Sequence, residues 1–487
     1  MPWDAFVEHA RRELGDGIQL ARHPALDHVL TAQGLRRSRA AALTEANRLA
    51  ADAAAGRTGG VKEVIVGRKC AEAVLKGAEA YVPGVLACST FIERGDPVVV
   101  LAAIEDPATG KWPTTRGSTM PPFRGGVSED SPPRDGDAAP GLTGLEPWVA
   151  EARRTLCVGV GVAEQGRVEM FRSGSGVAVR LTHRLFDMRS LSGVLSGLMV
   201  AQSLPSIAAA AALGARPGET VLDMCAAPGG KTTALAEAMG NMGVLYALDR
   251  SHGKVEGVRA LCAELGITMV RALRMDARRA LRRPGETPPG ESKRKNKQRK
   301  KNKNGRGEEE DAAERDEYAD GFPPEHFDRI LVDAPCSAIG LRPRLLQPAD
   351  AAELLRAAEY QRHFLEQAVQ LLRPGGVMVF STCTINPLEN EGNVRWVLDR
   401  HACLRLDDVP LCASLGGPGV THGPRTTEDG QAVVPGERVR LLTDAEAMKV
   451  RRFTPNVEEA GRVEEGGVRR AVPGFFIARF VKERGGG

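Results

Sequence analysis

Apolar and polar residues follow two different periods from residue 218 to the end of the chain. Short runs rich in Val, Leu and Ile are typical of buried strands, and the longer segments between them repeat apolar residues at helical spacing. Strands are predicted at 218–225, 243–249, 268–276, 326–336, 375–383 and 474–482. Strands separated by helices of this length favour an α/β fold with a parallel, doubly wound, Rossmann-like sheet, which we assign to residues 183–487.

The first 182 residues have a different pattern. Residues 1–60 are rich in Ala and Arg and carry apolar residues at helical spacing, which predicts a helical N-terminal extension. Residues 61–182 alternate strand-like runs with Gly-rich turns around one short helix at 68–76. This alternation predicts a second, mostly-β domain ahead of the Rossmann-like sheet.

Two segments fit neither period. Near 107–147 the composition shifts to Gly, Pro, Asp and Ser, which predicts a solvated insertion. Near 284–320 a basic block precedes an acidic one, and the segment has too few apolar residues to bury a core, so we predict disorder. The basic block can bind phosphates or act as a nuclear address; a plainly solvated insertion is the alternative, because the acidic block neutralises much of its charge.

Composition narrows the class of protein. Of the 487 residues, 42% are hydrophobic and 26% charged, and the net charge of +4 leans slightly towards a polyanionic partner. No apolar run reaches about 18 residues, so no membrane span is predicted. Early acids argue against a secretory signal. The nine cysteines contain no CxxC pair, so we expect no metal and a reducing compartment. We expect a cytoplasmic monomer, with entry into the nucleus left open.

The stretch DMCAAPGGKTT at 223–233 resembles a phosphate-binding loop but lacks its first glycine. A P-loop needs a glycine five positions before the Gly-Lys pair, and that position is Cys225, which argues against a P-loop ATPase. In an α/β sheet this loop lies at the carboxyl ends of the strands, where ligands bind. Its glycines allow close approach of a ligand, and the following helix start can hold a carboxylate.

Two acids at strand ends define the ligand further. Asp249 ends the second predicted strand, where an acid can accept the ribose hydroxyls, and Asp276 ends the third, within reach of an adenine edge. A ligand with ribose, adenine and a carboxylate but no pyrophosphate is S-adenosylmethionine. The alternative is an unrelated nucleotide, because dinucleotide-binding proteins also use a glycine loop.

Two cysteines follow the next two strands. Asp333 and Cys336 end one strand in DAPCSAIG, and Cys383 ends the next in STCTINP. A single cysteine is most often a small core residue, but two at adjacent ligand-binding strand ends suggest chemistry. A thiolate that adds to carbon 6 of a pyrimidine turns carbon 5 into a nucleophile able to attack an electrophilic methyl group.

The motifs DMCAAPGGKTT, ALD, DAPCS and STCTINPLENE resemble, in order and spacing, those of the Nop/Sun family of RNA cytosine-5 methyltransferases, across most of residues 183–487. The segment VIVGRKCAEAVLKGAEAYVPGV, followed by FIERGDPVVV, resembles a PUA RNA-binding domain. Together they resemble the PUA-bearing branch of the family, which implies an S-adenosylmethionine-dependent methyltransferase domain with an inserted mostly-β PUA domain. RNA, and within RNA a tRNA near its acceptor end, is the implied partner.

The resemblance also implies residue roles. Cys383 would be the nucleophile, Cys336 would assist product release, Asp333 would favour protonation of the base, and Lys231 would lower a thiol pKa or orient the base. The implied cofactor-binding residues are Cys225, Ala226, Ala227, Pro228, Gly229, Gly230, Lys231, Asp249, Asp276 and Asp333.

Three further sequence features bear on the site. Asn386, Pro387 and Glu389 fit an N-cap, a first-turn proline and a capping-box acid of a following helix. Ala338 stands where the family usually has glycine, so the loop beside the target base can differ in shape. This substitution, with the PUA-like segment, also keeps a second hypothesis open, a non-catalytic RNA-binding protein that uses a methyltransferase fold as a scaffold.

Overall fold

The computed structural model describes residues 8, 12, 18–23, 26–34, 48, 62–104, 116–120, 155–184, 195–282, 321–345, 350–410, 415–427, 432–455 and 473–484. It divides into two compact units. Unit 1 is Met1–Leu195 with Pro343–Pro348, and unit 2 is Ser196–Arg342 with Ala349–Gly487. The predicted insertion near 284–320 lies outside the described residues, as does most of that near 107–147.

The helical prediction for residues 1–60 is wrong over residues 18–34. Strands β1 (Ile18–His23) and β2 (Leu26–Gly34) form an antiparallel pair, with Ile18 opposite Gly34. In the sequence Pro24 falls between the two strands, and proline interrupts a helix because it has no backbone N–H to donate. The Ala-rich composition favoured a helix despite this proline.

Unit 1 is built around a seven-stranded mixed sheet in the order β4-β9-β8-β6-β3-β5-β7. The strands are β3 (Glu63–Val66), β4 (Ala80–Tyr81), β5 (Val85–Ser89), β6 (Pro97–Ala103), β7 (Ser118–Met120), β8 (Thr155–Ala163) and β9 (Val177–Arg184). The helices are α1 (Arg68–Leu75), α2 (Arg167–Arg172) and a 3₁₀ turn at Val82–Gly84.

The core of unit 1 follows the two periods of its sequence. Helix α1 buries Ala71, Val74 and Leu75, which share one helical face, in the same cluster as Val64 and Val100 of the sheet. Strand β7 lies inside the segment predicted as a solvated insertion, and it pairs in parallel with β5. The insertion prediction is therefore wrong at that strand, which is too short to show an alternating pattern.

Unit 2 contains the larger sheet. Its strands are β10 (Thr220–Asp223), β11 (Val244–Asp249), β12 (Val270–Arg274), β13 (Phe327–Asp333), β14 (Leu372–Thr382), β15 (Leu404–Asp407), β16 (His422–Thr426), β17 (Val433–Arg440), β18 (Arg451–Phe453) and β19 (Phe475–Lys482). Its helices are α3 (Leu204–Leu213), α4 (Gly230–Ala238), α5 (His252–Glu264), α6 (Ala351–Leu371), α7 (Glu391–Arg400) and α8 (Asp444–Lys449), with a 3₁₀ turn at Ala277–Arg279. Strands β16 and β17 pair only with each other in the described part of the chain.

The sheet of unit 2 runs β12-β11-β10-β13-β14-β19-β15, and β18 pairs with β19. The first five strands are parallel, while β19 is antiparallel to β14 and to β15. The strand order reverses between β10 and β13, which is the position where doubly wound sheets bind ligands. The predicted parallel, Rossmann-like sheet is confirmed.

Helices cover both faces of this sheet. Leu222 and Leu248 point into a core that contains residues of α6 and α7. Val221 and Leu245, which lie an odd number of positions away on the same strands, point into a core with α3 and α4. Because β10, β11, β13 and β14 are parallel, their carboxyl ends lie at one edge of the sheet. No described helix is both long and apolar enough to cross a bilayer.

Candidate active site

The glycine loop begins the site at the end of β10. Gly229 has φ +107°, a conformation that favours glycine, and it is the N-cap residue of α4. A Cβ atom there would lie 3.0 Å from Leu261 Cδ2, so the position also has little room for a side chain. Its carbonyl accepts a bond from Thr233 N at 2.9 Å, which starts the helix. The loop from Cys225 to Gly230 therefore leads directly into a helix N-terminus.

Asp223, which sequence reasoning left without a role, organises this loop. Its carboxylate is buried and accepts hydrogen bonds from Thr232 Oγ1 at 2.8 Å and from Cys225 N at 3.3 Å. Burial raises the pKa of Asp223 to about 6, against the effect of the Thr232 bond. Burial also raises the pKa of Cys225, so this third thiol of the site stays protonated. The signal available in the sequence was the position of Asp223 at a strand end, in front of the loop.

The two predicted ribose and adenine acids lie at the same edge. Asp249 is the last residue of β11 and accepts a bond from Ser251 N at 2.9 Å. Asp276 follows β12, and its carboxylate accepts bonds from Arg278, including Nη2 at 2.6 Å. The hydrogen bonds from Arg278 lower the pKa of Asp276, so both a charge and a spare lone pair remain for a ligand.

The residues around the loop suit S-adenosylmethionine. Gln202 donates from Nε2 to the carbonyl of Gly230, and its Oε1 is buried with no hydrogen-bond partner among the described residues. A buried amide oxygen without a partner is unfavourable unless a ligand supplies a donor, such as an amino group. With the start of α4 for a carboxylate and Asp249 for ribose hydroxyls, the polar groups match each end of the cofactor.

A partly buried ion pair lies between the cofactor loop and the thiols. Lys231 Nζ is 2.8 Å from Asp333 Oδ2 and lies 5.3 Å from the centroid of the Phe475 ring. Asp333 Oδ1 accepts a bond from Ser381 Oγ at 2.6 Å. The sequence placed Lys231 and Asp333 on separate elements, and the fold brings them into contact.

The two predicted reactive thiols are neighbours. Cys336 Sγ and Cys383 Sγ are 3.3 Å apart and both are partly buried. Because Cys336 donates to Cys383, the pKa of Cys383 is lowered, and Lys231 lowers it further while burial and Asp333 oppose this. The pKa of Cys336 is raised by the same bond and by burial. The pair therefore ionises at Cys383 first and keeps its second proton on Cys336.

The predicted capping box beside Cys383 is wrong at Glu389, although Asn386 Oδ1 accepts from Leu388 N at 3.2 Å as an N-cap side chain does. Helix α7 begins at Glu391 with Asn390 in the N-cap position, and the Glu389 side chain does not bond the backbone of Asn386. It accepts bonds instead from Ser337 N at 2.9 Å and from the Asn386 side chain at 3.1 Å. Two of the groups that donate to Glu389, Ser337 N and Gln361 Nε2, lie on other elements, so the local sequence could not reveal these contacts.

The loop that carries Cys336 has the conformation of a glycine at Ala338. Its φ is +56°, the left-handed region, and Leu341 N donates to its carbonyl at 3.2 Å. Gly340 N donates to the carbonyl of Cys383 at 3.1 Å, and a Cβ on Gly340 would overlap the carbonyl of Gly474. The substitution of Ala for the usual Gly thus leaves the turn in place with a Cβ in a strained conformation.

No group of three or more potential metal ligands occurs within the described ranges. A doubly wound sheet whose carboxyl edge carries a glycine loop, a ribose acid, an ion pair and a thiol pair defines an S-adenosylmethionine-dependent methyltransferase. A profile described as 16S rRNA methyltransferase RsmB/F matches residues 210–288 and 291–431.

Known proteins narrow the class. The rRNA (cytosine-C(5))-methyltransferase NOP2C of Arabidopsis thaliana is 38% identical over 86% of this chain and 73% of its own length. The tRNA (cytosine(72)-C(5))-methyltransferase NSUN6 of Homo sapiens is 31% identical over 86% of this chain and 75% of its own. The crystal structure of NSun6 from Pyrococcus horikoshii with SFG has the same fold, with a TM-score of 0.62 at 24% identity over 99% of this chain and 88% of that one.

The chain belongs to the RsmB/F, or Nop/Sun, family of RNA cytosine-C5 methyltransferases. It is therefore an enzyme, and its cofactor is S-adenosylmethionine. The family resemblance drawn from the sequence motifs is confirmed. The roles of single residues stay predictions.

Proposed function

We propose that this enzyme methylates carbon 5 of a cytosine near the acceptor end of tRNA, through a covalent bond between Cys383 and carbon 6 of the base. The observation that carries the mechanism is the thiol pair, with sulfurs 3.3 Å apart beside a Lys231–Asp333 ion pair. The tRNA substrate is supported by the relatives from Homo sapiens and Pyrococcus horikoshii that are named as tRNA (cytosine(72)-C(5)) enzymes.

S-adenosylmethionine supplies an electrophilic methyl group to the site. The chain supplies the nucleophile: the Cys383 thiolate adds to carbon 6, and the electron pair moves to carbon 5, which then attacks the methyl group. Within this proposal, Asp333 stabilises a proton on ring nitrogen 3 during the addition. Solvent then takes the proton of carbon 5, and the electron pair of that bond forms the double bond between carbons 5 and 6 again. The bond between carbon 6 and Cys383 breaks, and the sulfur leaves as a thiolate; Cys336 assists this release.

Loop positions assign the cofactor contacts within this proposal. Cys225 to Lys231 would wrap the methionine end, Asp249 the ribose and Asp276 the adenine edge. Lys231 then has two partners, the cofactor loop to which it belongs and Asp333, so it couples the two halves of the site. The target cytosine must leave any base stack to reach Cys383, which is easiest at a helix end such as the acceptor stem.

We further propose that residues 61–182 form a PUA-like RNA-binding domain ahead of a catalytic domain at 183–487. The seven-stranded sheet of unit 1 and its sequence resemblance to PUA domains support this division. A separate RNA-binding domain gives affinity without base chemistry, and the catalytic sheet then needs only to capture one base.

A second candidate substrate is rRNA, because the Arabidopsis relative at 38% identity is named for it. Incubation with labelled cofactor and either total tRNA or rRNA, followed by nucleoside analysis, separates the two. We expect 5-methylcytidine in tRNA; label in rRNA alone would replace the substrate, and label on adenine or guanine would refute the reaction. The absence of cofactor-dependent turnover on any RNA would favour the non-catalytic scaffold hypothesis.

The roles of the two thiols are tested by matched variants. We expect Cys383→Ala to abolish methylation and adduct formation. We expect Cys336→Ala to accumulate a covalent protein–RNA adduct that survives denaturation, because the thiol that assists release is gone. An adduct that forms without Cys383 but not without Cys336 would reverse the assignment.

A further inference from the structure

A fully buried carboxylate joins the two loops that carry the thiols. Glu389 Oε2 accepts hydrogen bonds from Ser337 N at 2.9 Å and Gln361 Nε2 at 2.8 Å. Its Oε1 accepts from Ser337 Oγ at 2.5 Å and Asn386 Nδ2 at 3.1 Å. Ser337 belongs to the loop of Cys336, whereas Glu389 and Asn386 follow Cys383 in the chain.

A second bond closes the connection. Ser337 Oγ and Thr384 Oγ1 are 2.8 Å apart, and Thr384 Oγ1 is 3.4 Å from Glu389 Oε1. Ser337 directly follows Cys336, and Thr384 directly follows Cys383. The side chains next to the two thiols are therefore bonded to each other and to one carboxylate, so the network constrains the backbone that carries both sulfurs.

We propose that Glu389 is the positioning residue of the thiol pair, which holds Cys336 and Cys383 in contact by tying together the loops on which they lie. The proposal deepens the function proposed above and rests on it for the catalytic consequence. Because every partner of Glu389 in this network donates, a carboxylate is the side chain that can accept all of them.

The charge of Glu389 adds an electrostatic effect to the geometry. The pKa of Cys336 is raised by its bond to Cys383 and by burial, and the carboxylate of Glu389 raises it further. On the other side of the pair, the charge of Asp333 raises the pKa of Cys383 and that of Lys231 lowers it. Glu389 thus disfavours ionisation of the thiol that should stay protonated.

Three variants separate position from charge. Glu389→Gln keeps the length but turns one oxygen into an amide N–H₂ that faces donors; Glu389→Asp keeps the charge but shortens the reach. Glu359→Gln removes an exposed charge from α6, the same helix that carries Gln361, and is the matched control. A trivalent arsenical, phenylarsine oxide, measures the spacing of the thiols because it binds both sulfurs at once, and iodoacetamide with peptide mass spectrometry measures the pH at which each thiol reacts.

We expect Glu389→Gln and Glu389→Asp to bind the arsenical about tenfold more weakly or worse, since displacement by about 1 Å can cost as much as 10²-fold. Only Glu389→Gln should shift the reaction of Cys336 to lower pH, and Glu359→Gln should match the wild type in both assays. In methylation assays kcat should fall by at least about tenfold in Glu389→Gln, with KM for the cofactor unchanged.

A folded Glu389→Gln protein with wild-type arsenical affinity and a wild-type alkylation profile would overturn the proposal, even if its melting temperature is lower, because Glu389 would then only stabilise the fold. If Glu389→Gln does not fold, Ser337→Ala removes one hydroxyl of the link, and unchanged arsenical affinity in that variant overturns the proposal equally. The thiol assays need neither RNA nor cofactor, so they decide the role of Glu389 even if the wild type methylates no RNA and the proposed function fails.

Discussion

The buried carboxylate of Asp223 should make the stability of the protein depend on pH in a direction unusual for an acid. Its pKa is about 6 in the folded protein, against about 3.9 in the unfolded chain. Between these values the folded state binds more protons than the unfolded state, so stability falls as pH rises from about 4 to 6 and is then constant. Two pKa units correspond to about 3 kcal/mol.

Asp223→Asn removes this titration while keeping the shape. An asparagine oxygen can still accept from Cys225 N, and its N–H₂ can donate to Thr232 Oγ1. We expect the difference in free energy of unfolding, variant minus wild type, to increase by up to about 3 kcal/mol from pH 4 to pH 7. Urea denaturation of both proteins across this range measures the difference, and other titrating groups cancel in it.

The sign of that difference is the decisive result. A gain that is the same at pH 4 and pH 7 would mean that Asp223 does not titrate in this range, and that burial has been offset by groups near it. A loss that grows with pH would mean that the ionised form is stabilised in the folded state, which contradicts the argument from burial.

Two further changes test the loops around the thiols. Lys231→Met removes the charge that favours the Cys383 thiolate, so iodoacetamide labelling of Cys383 should require higher pH, and labelling at unchanged pH would remove Lys231 from that role. Ala338→Gly removes a Cβ from a residue in the left-handed conformation, which relieves about 1–2 kcal/mol of strain, while the extra backbone entropy of glycine in the unfolded chain offsets part of this gain. We expect the free energy of unfolding to rise by about 0.5–1 kcal/mol, with activity retained. A loss of stability in urea denaturation would show that the alanine methyl packs favourably.

The sheet of unit 2 could be predicted because its strands, helices and loops each carry local signals. The alternation of strand-like and helical segments located the strands. The acids and cysteines at the strand ends predicted that Asp249, Asp333 and Cys383 lie at one edge of the sheet. The sequence could not predict which loops contact each other. The Lys231–Asp333 pair joins residues 102 positions apart, and nothing in either local sequence identifies the partner.

The predictions from the sequence were wrong where one local pattern fits two structures. Asn386, Pro387 and Glu389 have the residue types of a helix start, but a carboxylate suited to capping is equally suited to a buried network, and the fold decided for the network. For β1 and β2, the Ala-rich composition led to the prediction of a helix although Pro24 argued against one. At β7, three residues paired with β5 inside a segment whose composition is typical of a loop.

The chemical difference between the two thiols comes from their surroundings rather than from their own loops. Each cysteine precedes a hydroxyl residue, and these two hydroxyls bond each other, so the neighbouring hydroxyls do not distinguish the cysteines. The bond between the two sulfurs does distinguish them, because it lowers the pKa of Cys383 and raises that of Cys336. Proline before Cys336 would suggest that thiol as the nucleophile, by analogy with other cytosine methyltransferases. Charges act on the pair as well: Lys231 lowers the pKa of Cys383 while Asp333 raises it, and Glu389 raises the pKa of Cys336. Together with the bond between the sulfurs, these effects make the first thiolate form at Cys383. Removing both charges, through Lys231→Met with Glu389→Gln, should therefore bring the pH values at which the two thiols are alkylated closer together than either change alone.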